Sequence, residues 1–403
     1  EMNLSEHGLS FAHPDLPLAH PLDGGAAVVL DRSLATTSAG LSADGRSYER
    51  LMGPLIDATT SLLPQLLGPP LRIPRHPMAL ARFGLSVGLR SALSFARSRF
   101  SMPQGRALFA GCAAHSMLSL DRAPSAAVGT VLALLAHSVG WPAARAGSQA
   151  IADALAARLR DLGGKIVTGT RVASLDDLRE HRVALFDVTP KQLLAIAGDA
   201  LPGRYRRALA RYRYGSGVFK MDWALDGPIP WTAEECGRAG TVHLGGTMEE
   251  IAAAEEDVIA GRHPKRPFVI LAQQSVFDRR APEGKHTGWA YCHVPSESGV
   301  DMSEAVESQI ERFAPGFRDR ILARSVMGPR DVERHNANYV GGDINGGVQD
   351  LRQVVARPVA RLVPYTTPNR GIYLCSSSTP PGGGVHGMCG YLAARAALKR
   401  SLR

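Results

Sequence analysis

The residues best suited to bind an anionic ligand lie near the C-terminal end of the chain, in the segment SSSTPPGGGVHGMCG from Ser376 to Gly390. Four consecutive hydroxyl side chains, Ser376 to Thr379, offer donors to phosphate or sugar oxygens. Five glycines between Gly382 and Gly390 allow close approach of the backbone to a ligand, because no Cβ stands in the way. A helix beginning near Val385 would direct free N–H groups at an anion. The segment is therefore either an anion-binding loop or a turn used only for close packing.

Three further polar residues are candidates for chemistry near this segment. Asp343 and Asn345, in GGDINGG, are placed to bind a substrate or transfer a proton. The same residue types beside glycines are also typical of turns, which is the interpretation we favour. His386 either contacts a ligand or contributes only its backbone, and we favour the second.

Metal and dithiol chemistry are not indicated. The five cysteines form no CxxC pair, which argues against a zinc site, a disulfide framework and a redox dithiol. His286 and His293 are seven positions apart in an expected strand and so point to opposite faces. We predict no metal site and a reducing compartment, the cytoplasm, or the mitochondrial matrix in a eukaryote.

The net charge of +9 comes almost entirely from arginine, but the arginines are scattered. No basic run interleaved with aromatic residues appears, so we expect no nucleic-acid partner. In the segment 78–100, Arg82, Arg90 and Arg97 would share one side of a helix. That helix would either contact a membrane surface or cover a substrate cavity with its arginines in water, and we favour the second.

The sequence predicts two kinds of segment that position these residues, one of alternating strands and helices and one of mostly antiparallel sheet. Antiparallel strands are expected between residues 9 and 30, and helices from 33 to about 100, broken by a loop at 66–77. Four elements follow these helices. They are a helix with Ser125 as its N-cap, an amphipathic helix with Ile151, Leu155, Leu159 and Leu162 on one face, a strand from Lys165 and a buried strand at 183–190.

From 201 to 334 the pattern changes to antiparallel sheet with one helix at 303–313. VFKMDWALDG alternates cleanly and leaves Lys220 and Asp222 on its polar, solvated face. The last seventy residues return to strand, loop and helix. One domain is thus expected in pieces, with another inserted: 1–105 substrate-domain strands and helical cap, 106–200 and 335–403 nucleotide domain, and 201–334 substrate domain.

The segment NRGIYLCSSSTPPGGGVHGMCGYLAARAAL (369–398) closely resembles the C-terminal flavin motif of the phytoene desaturase-like FAD-dependent oxidoreductases. NYVGGDINGGVQDLRQVVARP (338–358) is similar to the approach to that motif in the same family. The likeness extends over essentially the whole chain and is strongest to the subgroup of pyridine nucleotide-disulfide oxidoreductase domain proteins. It implies an α/β fold with a Rossmann-like FAD-binding domain and an inserted α+β substrate domain.

The resemblance also implies positions for the cofactor. Ser376 and Ser377 would lie near the ribitol or diphosphate, and Gly384, Val385, His386, Gly387 and Met388 would present backbone to the flavin. Val172 matches the position whose backbone meets the adenine. The catalytic residues stay undetermined, with Asp343, Asn345 and His386 as candidates.

One part of the family pattern is missing. No GxGxxG opens a helix in this chain, and no acidic residue follows one at about 20 positions. Glu1 is not an initiator residue, so we expect a piece of a longer protein rather than a form that has lost the unit. The function implied is hydride transfer from an organic, apolar substrate to FAD. A flavin amine oxidase-like enzyme and a non-catalytic scaffold with the same fold are the alternatives.

Overall fold

A computed structural model of the chain describes residues 2–70, 73–178 and 180–402. Glu1 and part of the loop expected at 66–77 lie outside the described residues. The strands are β1 Phe11–Ala12, β2 Leu16–Pro21, β3 Ala27–Leu30, β4 Ala143–Ala144, β5 Ala184–Phe186, β6 Gly217–Leu225, β7 Ala239–Leu244, β8 Val269–Ala272, β9 His286–Val294, β10 Ile321–Met327 and β11 Ile372–Leu374. The α-helices are α1 Leu34–Gly40, α2 Gly45–Asp57, α3 Thr59–Leu66, α4 Pro77–Phe83, α5 Ala92–Arg99, α6 Pro103–Ala114, α7 Ser125–Ser138, α8 Gln149–Asp161, α9 Pro190–Ala197, α10 Gly203–Ala210, α11 Glu234–Arg238, α12 Met248–Ile259, α13 Ser303–Glu311, α14 Pro329–His335, α15 Leu351–Val355 and α16 Met388–Arg400.

A seven-stranded sheet forms the larger part of the molecule, in the order β10-β6-β9-β8-β7-β2-β3. Its neighbours are antiparallel except for β2 and β7, which run parallel. The antiparallel strands predicted between 201 and 334 are confirmed, and so is the hairpin between 9 and 30. That hairpin extends the same sheet, so the N-terminal strands and the later ones share one core.

The alternation of residues in β6 shows which face of this sheet is apolar. Phe219, Met221 and Trp223 are buried in a cluster with residues of α13. Lys220 and Asp222 point to the opposite face, where they lie across from Tyr291 and Trp289 of β9. Further along the sheet that opposite face is covered by helices, among them α2, α5, α6, α7 and α12.

Buried histidines lie between this helix-covered face and α6. His20 lies on β2, His243 on β7, and His115 follows α6. Nε2 of His115 and Nε2 of His243 are 2.9 Å apart, and Nε2 of His20 donates to the carbonyl of Gly246 at 2.7 Å. Burial lowers the pKa of His20 to about 4 and that of His115 to about 3. The three imidazoles are therefore neutral at pH 7.

A second, smaller sheet holds the C-terminal strand. β11 pairs in parallel with β5, with Ile372 opposite Ala184 and Leu374 opposite Phe186. Phe186, Ile372 and Leu374 pack with residues of α9 and α10 in a separate apolar core. The strand predicted within 183–190 is confirmed by β5. No helix within the described ranges has the length and apolar character to cross a membrane.

Of the two elements predicted between 149 and 173, the helix is confirmed and the strand is not. The helix expected there is present as α8, but Leu155, Leu159 and Leu162 are exposed rather than packed. The strand expected from Lys165 is absent, because no described strand pairs with that segment and Ile166 and Val167 lie exposed. A β-rich sequence needs a neighbouring strand to satisfy its backbone, and none lies beside this one in the described residues.

Two helix boundaries also differ from expectation. The helix expected to run through 78–100 is two helices, α4 and α5, joined by a π-helical turn at Gly84–Gly88. The two glycines weaken the helix there, and Ser91 caps the second helix by accepting the N–H of Ser94 at 3.3 Å. Ser125 is the first residue of α7 rather than its N-cap, and its Oγ accepts from the N–H of Ala92 instead.

Candidate functional site

The C-terminal loop, residues 375–387, connects β11 to α16. The N–H of Cys375 donates to the carbonyl of Phe186 at 2.9 Å, which fixes the point where the loop leaves the sheet. The helix begins at Met388, three residues later than predicted, because Gly387 adopts φ 61° and ψ 2° and cannot continue a right-handed helix. The predicted order of strand, glycine-rich loop and helix is thus present, with Val385 in the loop rather than in the helix.

In the first part of this loop, the hydroxyl groups form hydrogen bonds within the protein and hold a turn. Ser376 Oγ accepts from the N–H of Ser378 at 3.2 Å, and Thr379 Oγ1 donates to the carbonyl of Ser376 at 2.7 Å. Ser378 Oγ donates to the carbonyl of Gly346 at 2.9 Å. Three of the four hydroxyls are therefore buried inside the protein, contrary to the expectation that all four face a ligand. Ser377 is the half-buried member of the row.

Arg357 holds this turn against the segment 343–347. Its guanidinium is buried, and Nε donates to the carbonyl of Ser377 at 2.9 Å. Nη2 donates to the carbonyls of Asn345 and Gly346, each at 3.0 Å. The planar fork of arginine suits such divergent acceptors. Sequence reasoning missed this residue; its only signal is a charged side chain within the apolar run QVVARPV.

Asp343 also fixes the conformation of segment 343–347, against which Arg357 holds the loop. The Asp343 carboxylate accepts from the N–H groups of Gly215, Asn345 and Gly347 at 2.7, 2.7 and 2.8 Å. The side chain is fully buried, and burial raises the pKa of this carboxyl group. A carboxylate engaged by three backbone donors holds a turn. This geometry favours the turn interpretation of Asp343 over proton transfer.

Tyr212 was also missed by sequence reasoning and completes the hydrogen-bonded support. Its hydroxyl donates to the carbonyl of Gly346 at 2.6 Å, which also accepts from Arg357 and Ser378. Gly347 must be glycine here, because a Cβ would lie 2.0 Å from the Tyr212 hydroxyl oxygen and φ is 131°. Asn345 lies against the loop as well: its Oδ1 is 3.2 Å from where a Cβ on Gly383 would stand.

The second part of the loop, from Gly383 to the start of α16, is open. No described residue accepts a hydrogen bond from the N–H of Gly384, Val385 or Gly387, and Val385 is 90% exposed. A Cβ added to Gly387 would meet no atom within 4 Å. The loop therefore presents backbone donors and the start of a 13-residue helix to open space.

His386 adds one polar atom to this end of the loop. Nδ1 accepts the N–H of Met388 at 3.1 Å, so the neutral ring carries its proton on Nε2. Nε2 is buried and has no hydrogen-bond partner among the described residues. Burial also lowers the pKa of His386. The ring thus caps the helix with one nitrogen and leaves the other as an unused donor.

These features fit the electron-rich edge of a flavin. An orphaned buried donor, unpaired backbone N–H groups and space in front of Gly387 suit a planar ligand that becomes anionic on reduction. Val172 does not contribute to this group. It lies in the irregular segment after α8, half-buried, and no described contact joins it to the C-terminal loop.

A partly apolar wall adjoins the loop on the far side of segment 343–347. Met117, Val218 and Val332 form a small buried cluster, and Ile344, Tyr291 and Met327 pack against it. Trp289 and Tyr291 stack on the same sheet face with ring centroids 6.0 Å apart and planes at 11°. Asp343 and Asn345, which support the loop, are the sequence neighbours of Ile344. The segment 343–347 therefore links the loop to this wall.

Lys220 and Asp222, expected to be solvated, stand on this wall. They pair with one another and are each only partly exposed. The Lys220 ammonium lies 5.8 Å from the centroid of the Trp289 ring. Sequence alternation alone did not distinguish this face from an open surface, because residues far away in the sequence build the second side.

The chain shares its fold with oxidoreductases of known structure, and the predicted α/β fold class is confirmed. An oxidoreductase from Methanosarcina mazei superposes with a TM-score of 0.60 at 16% identity, covering 98% of this chain and 84% of that one. Cyclohexylamine oxidase from Brevibacterium oxydans superposes with a TM-score of 0.55 at 14% identity, covering 100% and 85%. At these identities the likeness is one of fold.

Among curated proteins, the chain is similar to pyridine nucleotide-disulfide oxidoreductase domain-containing protein 2 of Rattus norvegicus. The two are 28% identical over 326 residues, 66% of this chain and 54% of that protein. The neurosporene-forming phytoene desaturase of Rhodobacter capsulatus is 26% identical over 272 residues, 60% of this chain and 51% of that protein. The chain spans about half the length of these relatives. No protein-family model matches it. The resemblance drawn from the C-terminal motif is confirmed by these relatives.

Proposed function

We propose that this protein is part of an FAD-dependent oxidoreductase that removes a hydride from an apolar organic substrate, as a desaturase or dehydrogenase does. The observation that carries the proposal is the open end of the C-terminal loop. There the N–H groups of Gly384, Val385 and Gly387 have no acceptor among the described residues, and free space lies in front of Gly387 at the start of α16. Relatives of the chain by sequence and by fold are oxidoreductases.

Bound FAD supplies the hydride acceptor in this chemistry. The start of α16 would direct its free N–H groups and a partial positive charge toward the cofactor, where they would stabilise negative charge gained on reduction. Arg357 and Asp343 keep the loop in this shape before a ligand arrives, so that little reorganisation accompanies reduction.

The wall beside the loop supports an apolar substrate over an amine. Met327 and Ile344, which are partly exposed, supply aliphatic surface over the buried Met117 and Val218. Trp289 and Tyr291 stack on each other along one strand and do not face one another across a gap, as a pair enclosing an amine would. In a desaturation the substrate would give a hydride to the flavin and a proton to solvent, and a carbon–carbon double bond would form.

The test is anaerobic reduction of the flavin in the protein expressed from its complete reading frame. We expect a flavin band at roughly 450 nm. That band should bleach on addition of an apolar polyene in detergent and persist on addition of cyclohexylamine or putrescine. Bleaching by the amines alone would favour the amine oxidase alternative. Purified folded protein that takes up no flavin would favour the non-catalytic scaffold.

A further inference from the structure

Tyr291 places a hydroxyl group within the aromatic part of the wall. It lies in β9 between Trp289, whose ring centroid is 6.0 Å from its own, and His293, whose ring centroid is 5.8 Å away. Its ring packs against two clusters, the small one that holds Val218 and the larger one that the helices form on the sheet. Tyr291 therefore stands where the open part of the wall meets the helix-covered part of the same sheet face.

The Tyr291 hydroxyl group is not used by the protein itself. It forms no hydrogen bond with any residue of the described ranges, and the side chain is only partly buried. Tyrosine hydroxyls in largely apolar surroundings usually have a hydrogen-bond partner. We propose that this hydroxyl binds a neutral oxygen atom, that of an alcohol or a carbonyl group, on an otherwise apolar substrate.

Desolvation is the physical reason for this assignment. A substrate that covers the wall removes water from the Tyr291 hydroxyl, and a pure hydrocarbon offers no replacement partner. The hydroxyl then stays unpaired in the complex, which is unfavourable. A substrate with an oxygen atom at this point restores the hydrogen bond. Sites with such a polar group therefore discriminate against analogues that lack the matching group.

The charges around Tyr291 favour a neutral oxygen over a carboxylate or an ammonium group. Lys220, opposite Tyr291 in the strand register, is paired with Asp222. The Nδ1 atom of His293 lies 2.8 and 2.9 Å from the two carboxylate oxygens of Glu255. Each of these charged side chains thus has a partner already. Burial, together with the charge of Glu255, raises the pKa of Tyr291, so its hydroxyl keeps its proton at pH 7 and can donate it to an oxygen.

The inference rests on the proposed function, because it takes the wall as the substrate site, but its test measures binding and not flavin reduction. Farnesol, farnesene and farnesoic acid share a branched polyene chain and carry a hydroxyl group, no oxygen and a carboxylate. We expect the protein expressed from its complete reading frame to bind farnesol at least about tenfold more tightly than the other two. The change in tryptophan fluorescence on titration in dilute detergent measures this, since Trp289 adjoins Tyr291.

Tyr291→Phe removes the hydroxyl and keeps the ring. Its affinity for farnesol should fall by about tenfold while that for farnesene does not fall, so the preference disappears. Tyr391→Phe is the control, because Tyr391 is 52% exposed on α16 and its hydroxyl already accepts from Arg395 at 3.2 Å. That variant should keep the wild-type preference. Circular dichroism confirms that both variants are folded.

Three results would overturn the proposal. The first is a wild-type protein that binds none of the three probes, or binds farnesene or farnesoic acid as tightly as farnesol. The second is a folded Tyr291→Phe protein that keeps the preference. The third is loss of the preference in Tyr339→Phe instead, since Tyr339 packs against the same small cluster. A preference for farnesol that depends on Tyr291, without flavin bleaching by any substrate, would contradict the proposed function and leave this binding site intact.

Discussion

Replacing Arg357 with methionine is expected to destabilise the protein by about 3 kcal/mol and to release the C-terminal loop. Methionine fills much of the same volume but donates no hydrogen bond. The partly buried carbonyls of Ser377 and Asn345 and the buried one of Gly346 would then lose the donor they have at 2.9, 3.0 and 3.0 Å, at a cost of about 1 kcal/mol each. Urea denaturation measures the loss. Faster hydrogen exchange of the amides of 376–387 would show that it lies in the loop.

Arg361→Met is the control for this change. Arg361 is half-buried, makes one long hydrogen bond to Thr366 Oγ1 at 3.3 Å and lies over the Tyr205 ring. Its loss should cost less than about 1 kcal/mol. Arg357→Lys should recover only part of the stability, because an ammonium group cannot reach carbonyls on both sides as the guanidinium fork does. Equal stability of Arg357→Met and wild type would contradict the role given to this residue.

The buried histidines predict a steep loss of stability in mild acid. Burial lowers the pKa of His20 to about 4, that of His115 to about 3 and that of His243 well below its usual value. An unfolded chain binds these protons from about pH 6.5 downward, whereas the folded one does not. The stabilisation is therefore complete above pH 6.5 and is lost as the pH falls toward 4. The slope is about 1.4 kcal/mol per pH unit for each histidine, or about 4 for three. His137 and His386, whose pKa burial also lowers, act in the same direction, whereas Asp343 and Asp187, whose pKa burial raises, act in the opposite direction.

Urea midpoints measured at pH 7.5, 6 and 5 test this dependence. His20→Gln keeps a donor near the Gly246 carbonyl but cannot gain a charge, so the slope should fall by about 1.4 kcal/mol per pH unit. His335→Gln, at an exposed position on α14, should leave the slope unchanged. A stability that does not vary between pH 7 and 5 would contradict the account, as would a slope that His20→Gln does not alter.

The larger sheet was predictable from the sequence because its signals are local. Strict alternation in VFKMDWALDG and the turn residues between 9 and 30 specify strands whatever their neighbours are. The strand expected from Lys165 had an equally good local pattern and did not form. Strand formation also depends on a partner from elsewhere in the chain, which no local pattern reveals.

The sequence predicted one part of the candidate site and not the other. The glycine spacing from Gly382 to Gly390 indicated a loop and a helix start, and both are present. The residues that support the loop, Arg357 and Tyr212, were not predicted, because their contacts join segments far apart in sequence. The hydroxyls of Ser376, Ser378 and Thr379 were assigned outward because sequence gives residue types but not the direction in which a turn points them.

The most direct test of the account is the flavin content of a Gly387→Asn variant, in the protein expressed from its complete reading frame. Gly387 adopts φ 61° and faces open space. Asparagine tolerates this left-handed conformation, so the change adds a side chain in front of α16 with little backbone strain. Gly163→Asn is the matched control, since Gly163 has φ 81° and equally open surroundings at the end of α8. If the flavin edge meets the start of α16, Gly387→Asn should lose at least about tenfold in flavin affinity, or about 1.4 kcal/mol, while Gly163→Asn keeps the wild-type ratio of flavin to folded protein. A wild-type flavin ratio in folded Gly387→Asn protein would contradict the central claim that the C-terminal loop is the flavin site.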